Sequence, residues 1–399
     1  MPTSKMMTLP TTTSRSAEEV LERVNELVPV LRARAPETEK LRRMHPDTLR
    51  DLTEGGVFRL TVPADVGGYE ADDAIVTEVL AQISRGCPST SWICSIITTA
   101  NTLPALMSDD AAEEIYATPD LRLTGTFEST GEATRVEGGY RVTGQWRWNT
   151  GGIHSNWIAP ACTITDGGVP ERIQAIVPAS EVEHQDNWRA AGMAGTATNI
   201  MSVTDVFVPA SRTISMKDLV DGVFPKRRYS DNPYYNRPWI MFLSVLSGPV
   251  LLGMARGAMD VFMAHLPTRG AITYTGWTKA AEAPVLHHQL AEAQFNLETA
   301  EMFSNKLRHL LRDAYGRKAS MTERVQARAW LGRVATHSRA CVNQLFEASG
   351  ASQTVLAADL QRYFRDVNVL HQHAALQPNS TSELYGRLLA GLEPNTDVV

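Results

Sequence analysis

The sequence has few cysteines, and none of them is spaced like a metal ligand. Cys87, Cys94, Cys162 and Cys341 are the four cysteines among 399 residues, and they lie far apart. Zinc sites need close, repeated pairs, whereas isolated cysteines are usually small buried side chains. Such sparse use of cysteine is typical of a reducing compartment. We therefore expect no metal site, and we expect the protein to be cytoplasmic.

The sequence also lacks an excess of positive charge and a long apolar run. Its net charge is −6 and its pI is near 6.0, which argues against nucleic acid or an anionic membrane as a partner. The apolar stretch 241–254 is interrupted by serine, glycine and proline, and it is shorter than a membrane-spanning helix. Residues 1–15 are polar, so we predict no export signal.

The residue patterns that are present divide the chain into a short N-terminal tail and three zones that follow it. Apolar content of 43% and charged content of 21% are ordinary for globular proteins. We predict a disordered N-terminus over 1–16, a helical domain over 17–120, a β domain over 121–235 and a four-helix bundle over 236–399. The expected fold class is therefore α+β, with the β domain forming a barrel or sandwich.

Helices are predicted wherever apolar residues recur at steps of three and four. Such a stripe predicts a first helix over 18–34, Pro46 and Gly55 bracket a second, and Pro88 opens a third that runs over 89–107. Two longer series predict the bundle helices: Leu286, Leu290, Ala293, Leu297, Ala300, Phe303, Leu307 and Leu310, then Ala327, Leu331, Val334, Ser338, Cys341 and Leu345.

Short β-branched runs separated by turns predict the strands of the middle zone. Residues 134–144 predict a hairpin, because Gly138 and Gly139 supply the backbone freedom that a tight turn needs. Further strands are predicted over 157–164, 172–177 and 200–208.

The segment 144–157 is the most distinctive part of the sequence. It holds three tryptophans, the step Thr150-Gly151 and His154. Large flat side chains beside a small hydroxylated turn suit a planar ring such as a flavin. The same tryptophans could instead be alternating core and rim residues of a sheet. The spacing alone leaves both interpretations open.

Three further segments resemble motifs of the acyl-CoA dehydrogenase family. Residues 62–69 read Val-Pro-Ala-Asp-Val-Gly-Gly-Tyr, 192–199 read Gly-Met-Ala-Gly-Thr-Ala-Thr-Asn, and 203–209 read Val-Thr-Asp-Val-Phe-Val-Pro. Their order and spacing resemble the family over about residues 17–394. The resemblance implies an acyl-CoA dehydrogenase-like fold.

Within that fold, the C-terminal motifs resemble two-component flavin-dependent monooxygenases. A dehydrogenase needs a carboxylate base, and the matching stretch 371–378 contains none. Gly350-Ala351-Ser352, residues 360–367 (Leu-Gln-Arg-Tyr-Phe-Arg-Asp-Val), His373 and Tyr385-Gly386 follow the monooxygenase pattern instead.

The resemblance implies a homotetramer that takes reduced FAD or FMN from a separate NAD(P)H:flavin reductase. With O2, a flavin C4a-hydroperoxide would hydroxylate an aromatic, indole-type or polycyclic natural-product intermediate, as in antibiotic biosynthesis. N-oxygenation of an amine or amino sugar is an alternative, and acyl-CoA dehydrogenation is a weaker one. A non-catalytic interaction protein is a fourth hypothesis.

The resemblance also assigns catalytic candidates. Thr150 occupies the position of a hydroxyl that bonds flavin N5, although its hydroxyl could instead hydrogen-bond to the backbone of its own turn. Thr126 lies on the strand that the family places near the substrate ring. His373 is the acid–base candidate, since an imidazole can donate or accept a proton near neutral pH, although it could be structural. His371 would face elsewhere, and His154 could reach the flavin or serve its loop.

The cofactor-binding candidates are aromatic residues, turn residues and one arginine. Trp92 and Trp148 would enclose the ring, unless both are core residues. Arg269 would bind flavin phosphates across a subunit boundary. Residues 268–283, however, depart from the sequence that is usual in the family, so both FAD and FMN stay candidates for the cofactor. The full set is Trp92, Trp148, Asn149, Thr150, Gly151, Thr196, Thr198 and Arg269.

One departure from the monooxygenase pattern concerns the substrate. Phenol hydroxylases of this branch commonly carry a histidine eight residues after the helix tryptophan. Ala100 stands at that point, followed by Asn101, and neither side chain is a base near neutral pH. We therefore expect a substrate that needs no such base, or another group that replaces it.

Overall fold

The computed structural model describes residues 16–396, except 165, 167, 169 and 225. The predicted disordered tail lies outside the described residues apart from Ser16. The Ser16 hydroxyl accepts a hydrogen bond from the Glu19 N–H, and the Glu19 carboxylate accepts one from the Ser16 N–H. This capping box starts the first helix because it satisfies two N–H groups that a helix end leaves free.

Five helices form the N-terminal region: α1 (Ala17–Leu41), α2 (Pro46–Glu54), α3 (Asp73–Gly86), α4 (Pro88–Ala100) and α5 (Asp109–Tyr116). The predicted stripe is buried in α1, but the helix runs seven residues beyond the predicted end at 34 and contains Pro29 and Pro36. The third predicted helix is shorter than expected. It ends at Ala100, and Leu103–Leu106 forms a separate 3-10 turn.

The middle region forms two sheets rather than one. Their strands are β1 (Leu123–Gly125), β2 (Gly131–Val136), β3 (Gly139–Asn149), β4 (Trp157–Ala159), β5 (Ala161–Ile164), β6 (Glu171–Ala175), β7 (Val177–Pro178), β8 (Glu183–Gln185), β9 (Asn199–Pro209) and β10 (Thr213–Ser215). The small sheet has the order β1-β4-β7, and the large sheet has the order β10-β6-β5-β2-β3-β9-β8.

The hairpin prediction is confirmed, and one strand prediction needs correction. Val136 pairs with Gly139, and Gly138 has a φ of 79°, a conformation that favours glycine. The predicted strand 157–164 is two strands in different sheets, β4 and β5, which are divided at Pro160. Proline lacks the N–H that a continuous ladder needs.

The two sheets pack into one apolar core, which agrees with the predicted sandwich. Ile158 of β4 and Val177 of β7 join large-sheet residues such as Val142 and Met201 in a single buried cluster. Trp146 is the largest fully buried side chain there, with no exposed surface.

The C-terminal region contains α6 (Met216–Asp221), α7 (Trp239–His265), α8 (Pro284–Asp313), α9 (Met321–Ser349), α10 (Leu360–Leu370) and α11 (Pro378–Leu389). The two predicted apolar series lie in α8 and α9, and their buried members pack against α7. Helix α3 also packs on α7, so one core continues from the first helices into the bundle. The domain limits stay a prediction.

Helix α7 corrects the expectation about long apolar segments. Together with the following turn it spans Trp239–Thr268, which is long and apolar enough to cross a membrane. However, 89% of its most apolar window is buried inside the protein. This is the burial of a core helix in a soluble protein, because a helix that is apolar all round must be covered by protein or lipid.

Candidate active site

The end of β3 turns one of the three tryptophans outward. Trp146 and Trp157 are buried and donate their ring N–H to the Ala161 carbonyl and the Thr118 hydroxyl, so they are core residues. Trp148 has a φ of 65° beside a register shift in the β3–β9 pairing, and its side chain is 59% exposed. Its ring meets Trp188 edge-on at 5.8 Å between centroids. Of the three tryptophans in 144–157, Trp148 is therefore the one that offers a flat exposed surface.

Glycine makes the turn after β3 possible. Gly151 has a φ of 70°, and a Cβ there would lie 2.9 Å from the Ile93 Cγ2 of α4. A Cβ at Gly152 would overlap the Oδ1 of Asn149. Asn149 itself is fully buried, and neither polar atom of its side chain has a partner in the structure. An unpaired buried amide is costly, so this group is a candidate to bind a ligand.

Three threonine hydroxyls form a buried chain beside this turn. Thr150 Oγ1 lies 2.9 Å from Thr198 Oγ1, which lies 2.7 Å from Thr196 Oγ1. Thr196 Oγ1 then donates to the Met193 carbonyl over 2.8 Å. We call these three residues the hydroxyl cluster. The structure thus brings Thr150 together with Thr196 and Thr198, which lie 46 and 48 residues later in the sequence.

The loop that carries Thr196 and Thr198 is held by three helices. A Cβ at Gly192 would overlap the Arg365 carbonyl of α10, and a Cβ at Gly195 would lie 2.5 Å from Thr38 of α1 and 3.1 Å from Ser89 of α4. The Met193 N–H donates to the carboxylate of Asp366 on α10. The loop therefore has little freedom to move.

Asp366 is the residue of this site that the sequence analysis missed. It is buried, and loss of hydration raises the pKa of its carboxyl to about 7. It belongs to the motif over 360–367, whose two arginines both pair with Glu39 of α1. The motif was visible in the sequence, but only the fold shows that it fastens α10 to the loop of the hydroxyl cluster.

His373 and Trp92 form a second part of the site. Their rings meet edge-on at 5.3 Å between centroids. His373 lies in the turn after α10, and His371 is buried nearby with Nδ1 unpaired. The His373 residue keeps some exposed surface, but the protein packed around its ring lowers the pKa of the imidazole to about 4 through loss of hydration.

The hydrogen bond made by His373 decides which proton role suits it. Nδ1 accepts a hydrogen bond from the Ala375 N–H over 3.3 Å. A neutral imidazole that accepts at Nδ1 carries its hydrogen on Nε2. At neutral pH the ring therefore presents an N–H donor, which suits donation toward an oxygen atom rather than removal of a substrate proton.

Thr126 is buried at the end of β1 with its hydroxyl unpaired. Gln174 donates to the Thr126 carbonyl over 3.1 Å, and the Gln174 Oε1 is also unpaired. Strand β1 is joined to the turn that contains Gly151 and Gly152, which we call the glycine turn. The Ser155 hydroxyl makes this link, since it lies 3.1 Å from Thr124 Oγ1 and 3.2 Å from the Gly151 carbonyl. Thr126 therefore stands on an element fixed to the same turn.

Neither Ala100 nor Asn101 supplies the base that the missing histidine of α4 would provide. Ala100 is buried, and the Asn101 amide donates to the Phe58 and Leu121 carbonyls and accepts from the Leu123 N–H. Asn101 thus joins α4 to β1 and is structural. His154 is also structural, because its Nε2 accepts from the Met44 N–H and its pKa is lowered to about 4 by burial. The loop interpretation of His154 is the better one.

Arg269 lies apart from the hydroxyl cluster. It lines a cleft of about 140 Å³ formed by Val261, Phe262, His265, Thr268, Arg269, Ser349, Ser352, Gln353 and Leu360, which we call the Arg269 cleft. Its guanidinium donates to the Ala348 carbonyl over 2.7 Å. None of the lining residues belongs to the site around Thr150 and His373. Within one chain, the structure does not bring Arg269 to that site.

Both the sequence and the fold of this chain match those of known proteins. Residues 14–115 match the N-terminal domain family of acyl-CoA dehydrogenases, and residues 245–378 match the C-terminal domain family. The flavin-dependent monooxygenase oxygenase subunit HsaA of Rhodococcus jostii is 32% identical over 95% of this chain and 100% of its own length.

Two further relatives carry the cofactor in their names. The FADH2-dependent resorcinol hydroxylase oxygenase component of a Rhizobium species is 27% identical, over 93% of this chain and 94% of its own. The crystal structure of XiaF from a Streptomyces species in complex with FADH2 and glycerol superposes with a TM-score of 0.88. It has 28% identity and covers 96% of this chain and 98% of its own. The chain therefore belongs to the flavin-dependent monooxygenases that are built on the acyl-CoA dehydrogenase fold.

Proposed function

We propose that this protein is the oxygenase component of a two-component system and hydroxylates an aromatic small molecule with O2 and reduced flavin. The observation that carries the proposal is the buried hydroxyl cluster, which ends at Thr150 beside a turn whose backbone conformation and close contacts favour glycine. Its two sequence relatives named above are an oxygenase subunit and an oxygenase component. We expect a separate NAD(P)H:flavin reductase to supply the reduced flavin.

The residues around Thr150 fit a flavin ring. Trp148 offers an exposed flat face, Asn149 offers an unpaired buried amide, and Thr150 offers a hydroxyl at the end of a hydrogen-bonded chain. When bound, reduced flavin supplies two electrons to O2, so that one oxygen atom enters the substrate and the other leaves as water. The protein must hold the ring and keep water out.

The neighbouring residues have distinct tasks in this proposal. The Thr150 hydroxyl bonds the flavin at N5 and fixes the ring against the Gly151 turn. His373 donates its Nε2 hydrogen toward an oxygen atom that develops charge during transfer. Trp92 packs against His373 and orients it. Thr126, with its free hydroxyl, faces the substrate.

The Arg269 cleft suits the phosphates of the flavin, provided that it comes from a neighbouring subunit. A guanidinium matches phosphate in geometry and charge, and Arg269 is only partly buried. Because the cleft is separate from the hydroxyl cluster within one chain, we propose a homotetramer in which one copy serves the flavin of another.

The substrate class follows from what α4 lacks. With Ala100 and Asn101 unable to remove a phenolic proton, an indole-type or polycyclic natural-product intermediate that is already electron-rich fits the site, as in antibiotic biosynthesis. The same observation favours N-oxygenation of an amine or amino sugar as the second candidate. We place the reaction in the cytoplasm, where a reductase can supply reduced flavin.

The proposed function can be tested with a reductase, NADH and labelled oxygen. We expect that candidate aromatics and amines incorporate one atom from ¹⁸O2 only when protein, reductase and flavin are all present. Reduction of a dye by acyl-CoA, without incorporation of labelled oxygen into any substrate, would instead indicate a dehydrogenase and overturn the proposal.

A further inference from the structure

The hydroxyl cluster contains three hydroxyl groups and therefore three hydrogens to donate. Thr196 Oγ1 donates to the Met193 carbonyl, which can only accept. With that hydrogen committed, Thr196 accepts from Thr198 over 2.7 Å, and Thr198 in turn accepts from Thr150 over 2.9 Å. The Thr150 hydrogen then points into the protein, and its lone pairs point outward.

The opposite direction of the chain makes one hydrogen bond fewer. If Thr196 donated to Thr198 and Thr198 to Thr150, the hydroxyl bond to Met193 would be lost. The Met193 carbonyl would keep its bonds from the Thr196 N–H, at 3.1 Å, and from the Trp188 ring N–H, at 2.9 Å. The Thr196 oxygen, however, would no longer receive a hydrogen.

Water cannot restore that bond, because the cluster is buried. The exposed fractions are 6% for Thr150, 1% for Thr196 and 9% for Thr198. In such a site an acceptor without a partner is not compensated by solvent. The direction with three internal hydrogen bonds is therefore the favoured one, and it leaves Thr150 as an acceptor.

We infer that Thr196 and Thr198 are positioning residues that orient the Thr150 hydroxyl to accept, so that the site selects a flavin carrying a hydrogen on N5. This inference rests on the proposed function. Reduced flavin has an N5–H that donates to Thr150, for a total of four hydrogen bonds. Oxidised flavin has only a lone pair at N5, so Thr150 must turn its hydrogen from Thr198 to N5, for a total of three.

Such selection would serve an enzyme that takes its cofactor from solution. Reduced flavin arrives by diffusion, and oxidised flavin must leave after each turnover. A difference of one hydrogen bond corresponds to roughly a 2- to 13-fold difference in affinity between the two redox states. The direction of the hydroxyl chain would thus favour entry of the reduced form and release of the oxidised one.

The test measures binding rather than turnover. The full-length protein is titrated with reduced flavin under anaerobic conditions and with oxidised flavin in air, for FAD and FMN separately. The quantity compared is the ratio of the two dissociation constants, oxidised over reduced. Thr198→Val removes the central hydroxyl at nearly constant volume, so Thr150 is free to donate or accept, and the ratio should fall roughly 2- to 13-fold.

Two further variants separate hydrogen bonding from packing. Thr198→Ser keeps the hydroxyl and should keep the wild-type ratio. Thr196→Val removes the hydroxyl bond to Met193 and should lower the ratio as Thr198→Val does. If one of the two valine variants folds poorly, the other still provides the test. Thr77→Val, in α3, removes a hydroxyl that bonds only its own helix, and it should leave the ratio unchanged.

The outcomes distinguish this inference from the proposed function. If wild-type protein binds neither redox state of FAD or FMN, the proposed function itself fails. If wild-type protein binds flavin but both Thr198→Val and Thr196→Val keep its ratio, the hydroxyl chain does not set the preference. The function would then stand without this inference.

Discussion

Within a single chain, the residues of the hydroxyl cluster are held by more hydrogen bonds than those of the Arg269 cleft. In the hydroxyl cluster, all three threonine hydroxyls have a partner, and helices α1, α4 and α10 support the loop that carries Thr196 and Thr198. In the Arg269 cleft, one guanidinium bonds one backbone carbonyl, and the adjoining loop exposes Tyr274 completely. One region is organised in advance, and the other is open.

We propose that the two regions serve opposite ends of a flavin. A ring that takes part in redox chemistry needs fixed donors and acceptors, since a shift of 1 Å in position is costly. Phosphates need mainly charge, which tolerates looser geometry. The fixed region therefore suits the ring, and the open region suits the phosphates of a flavin bound mostly by another copy.

The largest effect is expected in the region that we propose for the flavin ring, around Thr150 and His373. We expect His373→Ala to lower product formation about 100-fold, the usual contribution of a proton donor, with reducing equivalents diverted to hydrogen peroxide. Affinity for reduced flavin should change little. Product and peroxide are quantified per NADH consumed. His288→Ala, an exposed histidine of α8, is the control, and unchanged coupling in His373→Ala would make His373 a packing residue.

A second variant tests whether the glycine turn holds the ring. A methyl group at Gly152 would overlap Asn149 Oδ1, so Gly152→Ala should weaken binding of reduced FAD, FMN and riboflavin alike, by at least about tenfold. Gly386→Ala has open space for its methyl group and serves as control. Binding by Gly152→Ala that equals wild type for all three flavins would remove the turn from the site.

The third prediction concerns the Arg269 cleft. Loss of a charged hydrogen bond to phosphate costs about 1.5–3 kcal/mol, so Arg269→Ala should weaken binding of FAD or FMN by about tenfold or more. Riboflavin, which has no phosphate, should bind as before. Arg387→Ala loses a comparable bond to a backbone carbonyl and is the control. Equal losses for riboflavin and FAD would contradict a phosphate site.

The smallest effect is expected at Asp366, which supports the loop of the hydroxyl cluster. The pKa of Asp366 is raised to about 7 by burial, from an ordinary value near 3.8. Between these values the folded state holds more protons, so Asp366 lowers the free energy of unfolding as pH rises. Asp366→Asn keeps an oxygen for the Met193 N–H and removes this dependence.

We expect wild type to lose stability relative to Asp366→Asn, on the order of 1 kcal/mol, between pH 5 and pH 8. Glu39, Arg362, Arg365 and Cys87 are the ionisable neighbours that affect Asp366, and they are common to both proteins. Urea unfolding at several pH values measures the difference. Parallel pH curves for the two proteins would show that Asp366 does not titrate in this range.

Local patterns in the sequence were enough to predict most of the fold. Apolar steps of three and four located α8 and α9, and the Gly138-Gly139 pair located the β2–β3 hairpin. The exact ends of helices were harder. The α4 helix ends at Ala100, where the Asn101 side chain bonds the distant Phe58 and Leu121 carbonyls, and the sequence around Asn101 does not reveal those partners.

The site was predictable only as separate pieces. The sequence pointed to Thr150, Thr196 and Thr198, but their hydrogen-bonded order depends on the pairing of β3 with β9. The role of Asp366 depends on where α10 meets the loop. The outward direction of Trp148 depends on a positive φ that its residue type does not favour. Such long-range contacts are properties of the folded chain.

The most direct test of the account is a crystal structure of the anaerobic protein with reduced flavin. The account predicts that N5 lies within hydrogen-bond distance of Thr150 Oγ1, with His373 facing the adjacent ring and Arg269 of a neighbouring copy at the phosphates. A flavin bound elsewhere, with Thr150 making no contact to it, would contradict the account.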